Sequence, residues 1–486
     1  MKGKRDNCDG TRPSCTQCQL TRRRCGGYKL DAVFVSYSAK PLSSRKPLVN
    51  PPNVDNAAHN TGQHDNTGIA RPQGRPYQIS QPIDTTSPNE LTSIIVSRFL
   101  PKHKKNPFCF DTSTSQVCGA WVEMLPSIVS RAEPGELITA AARAFALVIL
   151  DRGPEGKHKN FHSVRAYVAT LEKLSSAMRS PENFFRIETA AAIVCLATVE
   201  FMLPEPDSNT LAHFGGLGAL INMYSPGVFE SGDFHVIFVG CRPVLLLQAL
   251  TARRSTFLGR KEWLTVPFRK HPPSEMQTLL GDIAILPSIL EQIDSLQDLA
   301  PQSSLQSAQD LKLMLSEVLV RLSKWDGHFE VTQKTMKSNN NNSHAEETVS
   351  DFWFLSLLAA NVCIHVWAFQ IICFTELAKL NKLSPSSDDI SCSGPGAQAV
   401  WEEHKTRLSA LATKICQSME YMLQDEMLLY GPAAAMWPLA AAYSVLAADV
   451  EGNREEIERY WAFLSRIRER GFLSAPVSTM ETRFGL

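Results

Sequence analysis

The sequence is short of charge imbalance, of strand-like alternation and of an apolar leader. Its 49 basic and 49 acidic side chains cancel, charged residues are 20% of the 486, and aromatic residues 8%. With 44% hydrophobic residues the chain still holds enough apolar surface to bury at least one large core. That excludes collagen-like, low-complexity and wholly disordered classes. The N-terminus is charged and carries no apolar run of the secretory type, so a reducing intracellular compartment is predicted, where clustered cysteines favour metal over disulfides. Enzyme motifs are missing too. There is no P-loop, nucleophile elbow, dinucleotide fingerprint or His-Glu-x-x-His, and the chain is predicted not to be an enzyme.

Charge and cysteine, nearly featureless as totals, are sharply placed along the chain. Residues 1–30 carry eight Lys/Arg against two Asp, a balance of +6, which leaves −6 for residues 31–486. A basic head on a mildly acidic body is suited to a polyanion. Four of the twelve cysteines, Cys8, Cys15, Cys18 and Cys25, fall within that head. The other eight are scattered without a close pair and are predicted to be buried core thiols.

The head has almost no large aliphatic residues and folds only if something cross-links it. Residues 36–91 read as a disordered linker, since 22 of the 53 residues in 38–90 are Pro, Gly, Ser or Asn. No heptad repeat in it offers a coiled-coil stalk. From residue 92 to 486 the texture is helical throughout, and the body is predicted to be all-α. Leu137, Ala141, Ala144 and Val148 recur at helical spacing, and Phe161, Val164, Val168, Leu171, Leu174 and Met178 form the apolar stripe of the next predicted helix. Ser180-Pro181-Glu182 carries the signs of a helix start. Further helices are predicted over 210–223, 235–256, 277–297, 305–325, 350–381, 398–430, 433–449 and 454–470. Mobile polar loops are predicted at 337–347 and 384–398. The charge-free run Phe352–Phe374 is long enough to span a bilayer, but its Ser356, Asn361, His365 and Gln370 predict a buried central helix and no membrane association.

The spacing Cys8-x6-Cys15-x2-Cys18-x6-Cys25 is the informative motif. Thiolates are soft donors suited to zinc, and four can close a tetrahedron, so zinc is the predicted cofactor. Metal binding would supply the folding free energy a core-less segment lacks, roughly 10–16 kcal/mol apparent at neutral pH. In this setting Cys8-Asp9-Gly10-Thr11-Arg12-Pro13-Ser14-Cys15-Thr16-Gln17-Cys18, followed by Cys25-Gly26-Gly27-Tyr28, resembles the fungal binuclear zinc cluster (Zn2Cys6) transcription factors, whose pattern is C-x2-C-x6-C, a loop, and C-x2-C-x6-8-C. The four cysteines match the third to sixth of that pattern. More loosely, Trp121–Pro126 and His213–Leu220 resemble the helical regulatory region found in the same family. The glycines of His213–Leu220 have the wrong spacing for a phosphate loop and predict close helix packing instead.

The resemblance implies a zinc-dependent, sequence-specific regulator of RNA polymerase II genes in the nucleus, with a partial cluster in residues 1–35. In the family, basic residues between the second and third cysteines enter the major groove. Lys2, Lys4 and Arg5 occupy that interval here, with Lys4 and Arg5 at the base-reading positions, where such side chains suit guanine acceptors. Arg22, Arg23 and Arg24 would then meet phosphates. The implied partners are double-stranded DNA with GC-containing sites and the transcription machinery or co-regulators, with a homodimer left open. Counting back six residues from Cys8 puts the family's second cysteine at Met1, so the expectation is a motif whose first part lies upstream of residue 1. The alternative is a helical protein-interaction subunit that has lost DNA binding along with those cysteines. Compact members of the family include regulators of secondary-metabolite gene clusters.

Overall fold

Alanine-rich segments build the first layer of the body. The structure, a computed structural model, describes residues 86–101, 118–133, 135–151, 161–179, 186–203, 212–298, 301–329, 331–336, 349–383 and 395–473. The head, linker residues 36–85, the Ser180-Pro181-Glu182 start signal and most of the two polar loops lie outside that set. Helix α1 (Pro88–Phe99) is followed by a 3-10 segment at Cys118–Met124 and by α2 (Leu125–Arg131), α3 (Leu137–Leu150), α4 (Phe161–Ala177), α5 (Ile187–Met202) and α6 (Ala212–Asn222). Ala141, Ala142, Ala144 and Ala146 of α3 and Ala190–Ala192 of α5 are fully buried. Side chains that stop at Cβ let helix backbones approach closely, and α3 packs on α1, α4 and α5.

In α4 the predicted stripe holds in its second half, where Leu171 and Met178 also pack against the core, and fails in its first. Leu174 is buried, but Val164 and Val168 are exposed, and the inward positions are Ser163 and Thr170. Small side chains again win at the close contact with α3. Their polar groups are satisfied locally: Thr170 Oγ1 donates to the Ala166 carbonyl at 2.7 Å, and the Ser163 amide donates to Asp151 Oδ2 at 3.0 Å.

The second half continues with α7 (Gly232–Ala252), α8 (Lys261–Thr265), α9 (Glu275–Asp282), α10 (Leu286–Asp294) and α11 (Pro301–Ser323). It closes with α12 (Leu357–Leu383), α13 (Pro395–Gln417), α14 (Met419–Met422), α15 (Tyr430–Leu446) and α16 (Arg454–Glu469). The single helix predicted over 277–297 is two, because Pro287 has no N–H for the Ile283 carbonyl and opens α10 instead. Helix α13 begins inside the interval predicted as the second polar loop. The helices from Pro88 onward belong to one unit with a continuous apolar core, and the all-α prediction is correct.

One departure is local. Val331–Met336 (β1) and Val349–Phe354 (β2) pair antiparallel, Val331 opposite Phe354 and Met336 opposite Val349, around the polar loop. Residues 350–354 were predicted as the start of a helix, but aromatic residues at 352–354 suit a pleated surface. The helix begins only where Ser356 caps it, its Oγ accepting from the Ala359 amide at 3.1 Å.

The long apolar helix α12 lies in the core, packed by α9, α11, α13 and α15. Among the described residues two helices, α7 and α12, are long and apolar enough to cross a membrane. In α12, 94% of the apolar window is buried within the protein, so its apolarity has a use inside the fold; in α7 the share is 56%.

Proline inside α7 is accommodated by a specific side chain. Pro243 cannot donate to the Val239 carbonyl, and Gln277 Nε2 of α9 donates to it instead, at 3.0 Å. The same Gln277 accepts, through its carbonyl and Oε1, from Arg242 Nη1 at 2.7 and 2.9 Å, which ties α7 to α9 around a guanidinium that also lies over Phe268.

Candidate functional site

The predicted zinc ligands Cys8, Cys15, Cys18 and Cys25, and the predicted DNA contacts Lys2, Lys4, Arg5, Arg22, Arg23 and Arg24, all lie outside the described residues. Among the described residues no group of three or more His, Cys, Asp or Glu could hold a metal ion. The scattered cysteines behave as predicted where their side chains are described: Cys195, Cys241, Cys363, Cys373 and Cys416 are buried. Burial raises every one of these thiols, Cys363 and Cys416 to about 12, which removes them as nucleophiles at neutral pH. Cys363 and His365 form no pair, as their spacing on α12 predicts.

The glycines of His213–Leu220 do what close packing requires. A Cβ at Gly215 would lie 3.3 Å from Gln248 Nε2, and one at Gly218 3.3 Å from Leu245 Cδ2, both on α7. Beside them, His213 of α6 approaches two side chains. The Tyr167 hydroxyl of α4 lies 3.1 Å from His213 Nε2, and Glu200 Oε2 of α5 lies 3.8 Å from it, beyond hydrogen-bond reach. Burial pushes the Glu200 carboxyl up to about 7 and pulls His213 down, so the charge pair is weak.

A feature not predicted from the sequence is a cavity of about 180 Å³ within the helical body. Its walls come from the ends of α1 and α16, the 3-10 segment at Cys118–Met124, and α5, α6, α7, α9, α12 and α15. Aromatic and aliphatic groups dominate, including Phe99, Trp121, Phe201, Phe214, Met276 and Phe472. Backbone gives room on one side: a Cβ at Gly240 would meet Trp121 Cβ at 2.9 Å, so the indole rests directly on α7. Among the described residues no Asp, Glu, Lys or Arg lines the cavity.

Its few polar groups converge at one end. Asn361 and His365, four apart on one face of α12, are 5% and 6% exposed. His365 Nδ1–H donates to the Asn361 carbonyl at 2.8 Å, which leaves Nε2 as the acceptor of a neutral ring. Burial holds that imidazole down at about 4, only partly offset by this backbone bond. The ring lies nearly parallel to Trp437, at 5° with centroids 6.2 Å apart. Asn361 Nδ2 donates to the Tyr430 hydroxyl at 3.1 Å, while Asn361 Oδ1 is buried without a hydrogen-bond partner. Trp437 Nε1 donates to Thr251 Oγ1, which donates in turn to the Leu247 carbonyl, and Thr198 donates to the Val194 carbonyl. The ring donors of His365 and Trp437 are thus spent inside the protein, and His365 Nε2 is left as an acceptor. The sequence signal that could have found the site is the Asn361/His365 pair at helical spacing inside an otherwise charge-free run.

No known protein-family model, curated protein or solved structure shows significant similarity to this chain.

Proposed function

We propose that the chain is a nuclear, zinc-dependent, sequence-specific DNA-binding regulator of RNA polymerase II genes, of the kind that can serve a secondary-metabolite gene cluster. The observation that carries this reading is the spacing of Cys8, Cys15, Cys18 and Cys25 within a head of charge +6. Zinc held by those thiolates would order the segment and present Lys4 and Arg5 to guanine edges, while Lys2 and Arg22–Arg24 supply phosphate contacts. The helical body would receive signals or recruit co-regulators, without catalysis and without a membrane.

The test is direct. Purified protein consisting of residues 1–486 should contain zinc, at most one ion per chain, and shift duplexes selected from a random pool toward GC-containing sites. Changing Lys4 and Arg5 to Ala should cost about 1–3 kcal/mol per lost base contact and flatten the sequence preference. Changing Arg22–Arg24 to Ala should weaken binding to all sequences and reduce its salt dependence. Metal-free protein that shifts no duplex would instead favour the helical interaction subunit. Binding indifferent to Lys4 and Arg5 would remove the base-reading assignment alone.

A further inference from the structure

Three features of the body invite a function: the outward apolar stripe Leu305, Leu313 and Val320 on α11, the Tyr167–His213–Glu200 cluster, and the internal cavity. Nothing on the surface of α11 indicates what would cover the stripe, and in the cluster the Tyr167 hydroxyl and His213 Nε2 are already bonded to each other. The cavity has both room and unspent chemistry.

Three constraints define its occupant. Size comes first: about 180 Å³ is slightly more than the roughly 150 Å³ engineered cavity that takes up benzene, so a single ring with a short substituent fills it. Charge comes second: among the described residues no ionised side chain lines the space and the one imidazole is neutral, so a charged guest would lose its hydration without compensation. Hydrogen bonding comes third. The ring and hydroxyl donors of His365, Trp437, Thr198 and Thr251 are engaged within the protein, and the bond made by His365 Nδ1 leaves Nε2 as an acceptor. That acceptor, beside the flat face of Trp437, can receive one donor attached to a ring. The half-buried Gln248 at the α6–α7 wall carries both donor and acceptor and does not discriminate.

We propose that this cavity binds a small uncharged molecule with a ring-sized apolar body and one hydrogen-bond donor, a phenol or comparable alcohol, whose donor is received by His365 Nε2. The guest touches helices from both halves of the body, α1 and α5–α7 on one side and α12 and α15 on the other. It therefore binds the folded body and not its separated pieces, and stabilises it by mass action. This site is independent of the DNA-binding reading.

The test uses the full chain and two probes of nearly equal shape, para-ethylphenol and its methyl ether para-ethylanisole. Titration calorimetry, with saturation-transfer NMR as a second readout, should show saturable one-to-one binding of the phenol. The ether, which has no donor, should bind about tenfold more weakly or worse. Filling the space with Ala434→Phe, on the α15 wall, should abolish phenol binding while far-UV circular dichroism stays unchanged. Equal affinity for phenol and ether, absence of saturable phenol binding, or binding that survives in folded Ala434→Phe would each overturn the proposal. If Ala434→Phe does not fold, the phenol–ether comparison on the unmodified protein decides alone.

Discussion

Arg253 is the residue whose replacement tests the packing of the body most severely. It ends α7 in a left-handed conformation, φ 51° and ψ 48°, with its own amide donating to the Leu250 carbonyl at 3.1 Å and the Arg254 amide to the Ala249 carbonyl at 3.0 Å. That pair of bonds is a Schellman closure, which ordinarily has glycine at this position. A non-glycine residue there costs about 1 kcal/mol, and the side chain must offset it. Its Nε donates to both oxygens of Asp294 at 2.9 Å, and Nη1 and Nη2 reach the two oxygens of Glu376 at 2.9 and 3.1 Å. Burial alone would pull the guanidinium pKa down, but the bonds to Asp294 and Glu376 outweigh it and hold the pKa above its ordinary value. Glu376 is 1% exposed, so removing Arg253 leaves a buried carboxylate with only Lys379, 3.2 Å away, for compensation.

Breaking a buried pair from one side costs about 3–5 kcal/mol, and Lys379 places this case near the lower end. Arg253→Ala is therefore expected to destabilise the protein by about 3 kcal/mol. Arg253→Gly should cost about 1 kcal/mol less, because it loses the same bonds but relieves the left-handed backbone. Arg253→Gly with Glu376→Leu should recover most of the remainder, since no carboxylate stays stranded. Urea denaturation followed by tryptophan fluorescence and circular dichroism measures all three, and coincident transitions confirm that one free energy describes each. An Ala variant within about 1 kcal/mol of the parent, or Gly and Ala variants of equal stability, would refute this account of the α7 terminus.

Two further perturbations follow from individual contacts. Because burial raises the Glu200 carboxyl from 4.5 to about 7, its contribution to stability is complete below pH 4.5 and lost as the pH rises through 7. Glu200→Gln should flatten that loss and be the more stable protein at pH 9 by up to about 3 kcal/mol, read as a difference in urea midpoint across pH. Gly240→Ala drives a methyl against Trp121 Cβ, which is fixed to its own backbone and cannot swing away, so a loss of about 1–3 kcal/mol in the same assay is expected. Unchanged stability there would mean that the indole is not seated on α7.

The fold was legible wherever one periodicity dominated a stretch, and less so where two signals overlapped. The Ala-rich pattern of α3 and the polar interruptions of the charge-free run each pointed to the correct environment. The first half of the α4 stripe, Val164 and Val168, misled because apolarity alone was scored. At a contact with an alanine-lined helix, closeness of approach favours Ser163 and Thr170, whose polar atoms bond to nearby main chain and aspartate, over Val164 and Val168. The β-hairpin was hidden by continuity, because Phe352–Phe354 adjoin α12 without a charge between them. Only the Ser356 cap marks the boundary.

The cavity was illegible for a different reason. Its walls draw on residues from Phe99 to Phe472, and no local window contains more than a few of them. Prolines show how such a site arises. Pro243 and Pro438 interrupt the hydrogen-bond ladders of α7 and α15, two of the helices that line the space. Val239, freed by Pro243, is served by Gln277 from α9, so that break is closed. Ala434, to which Pro438 gives no N–H, lines the cavity, as His365 does. An imidazole acceptor such as His365 Nε2, within a lining that has no ionised group among the described residues, is the opposite of what a core optimised only for stability would hold. That asymmetry, and not the cavity's volume, is the reason to expect a guest that brings a donor with it.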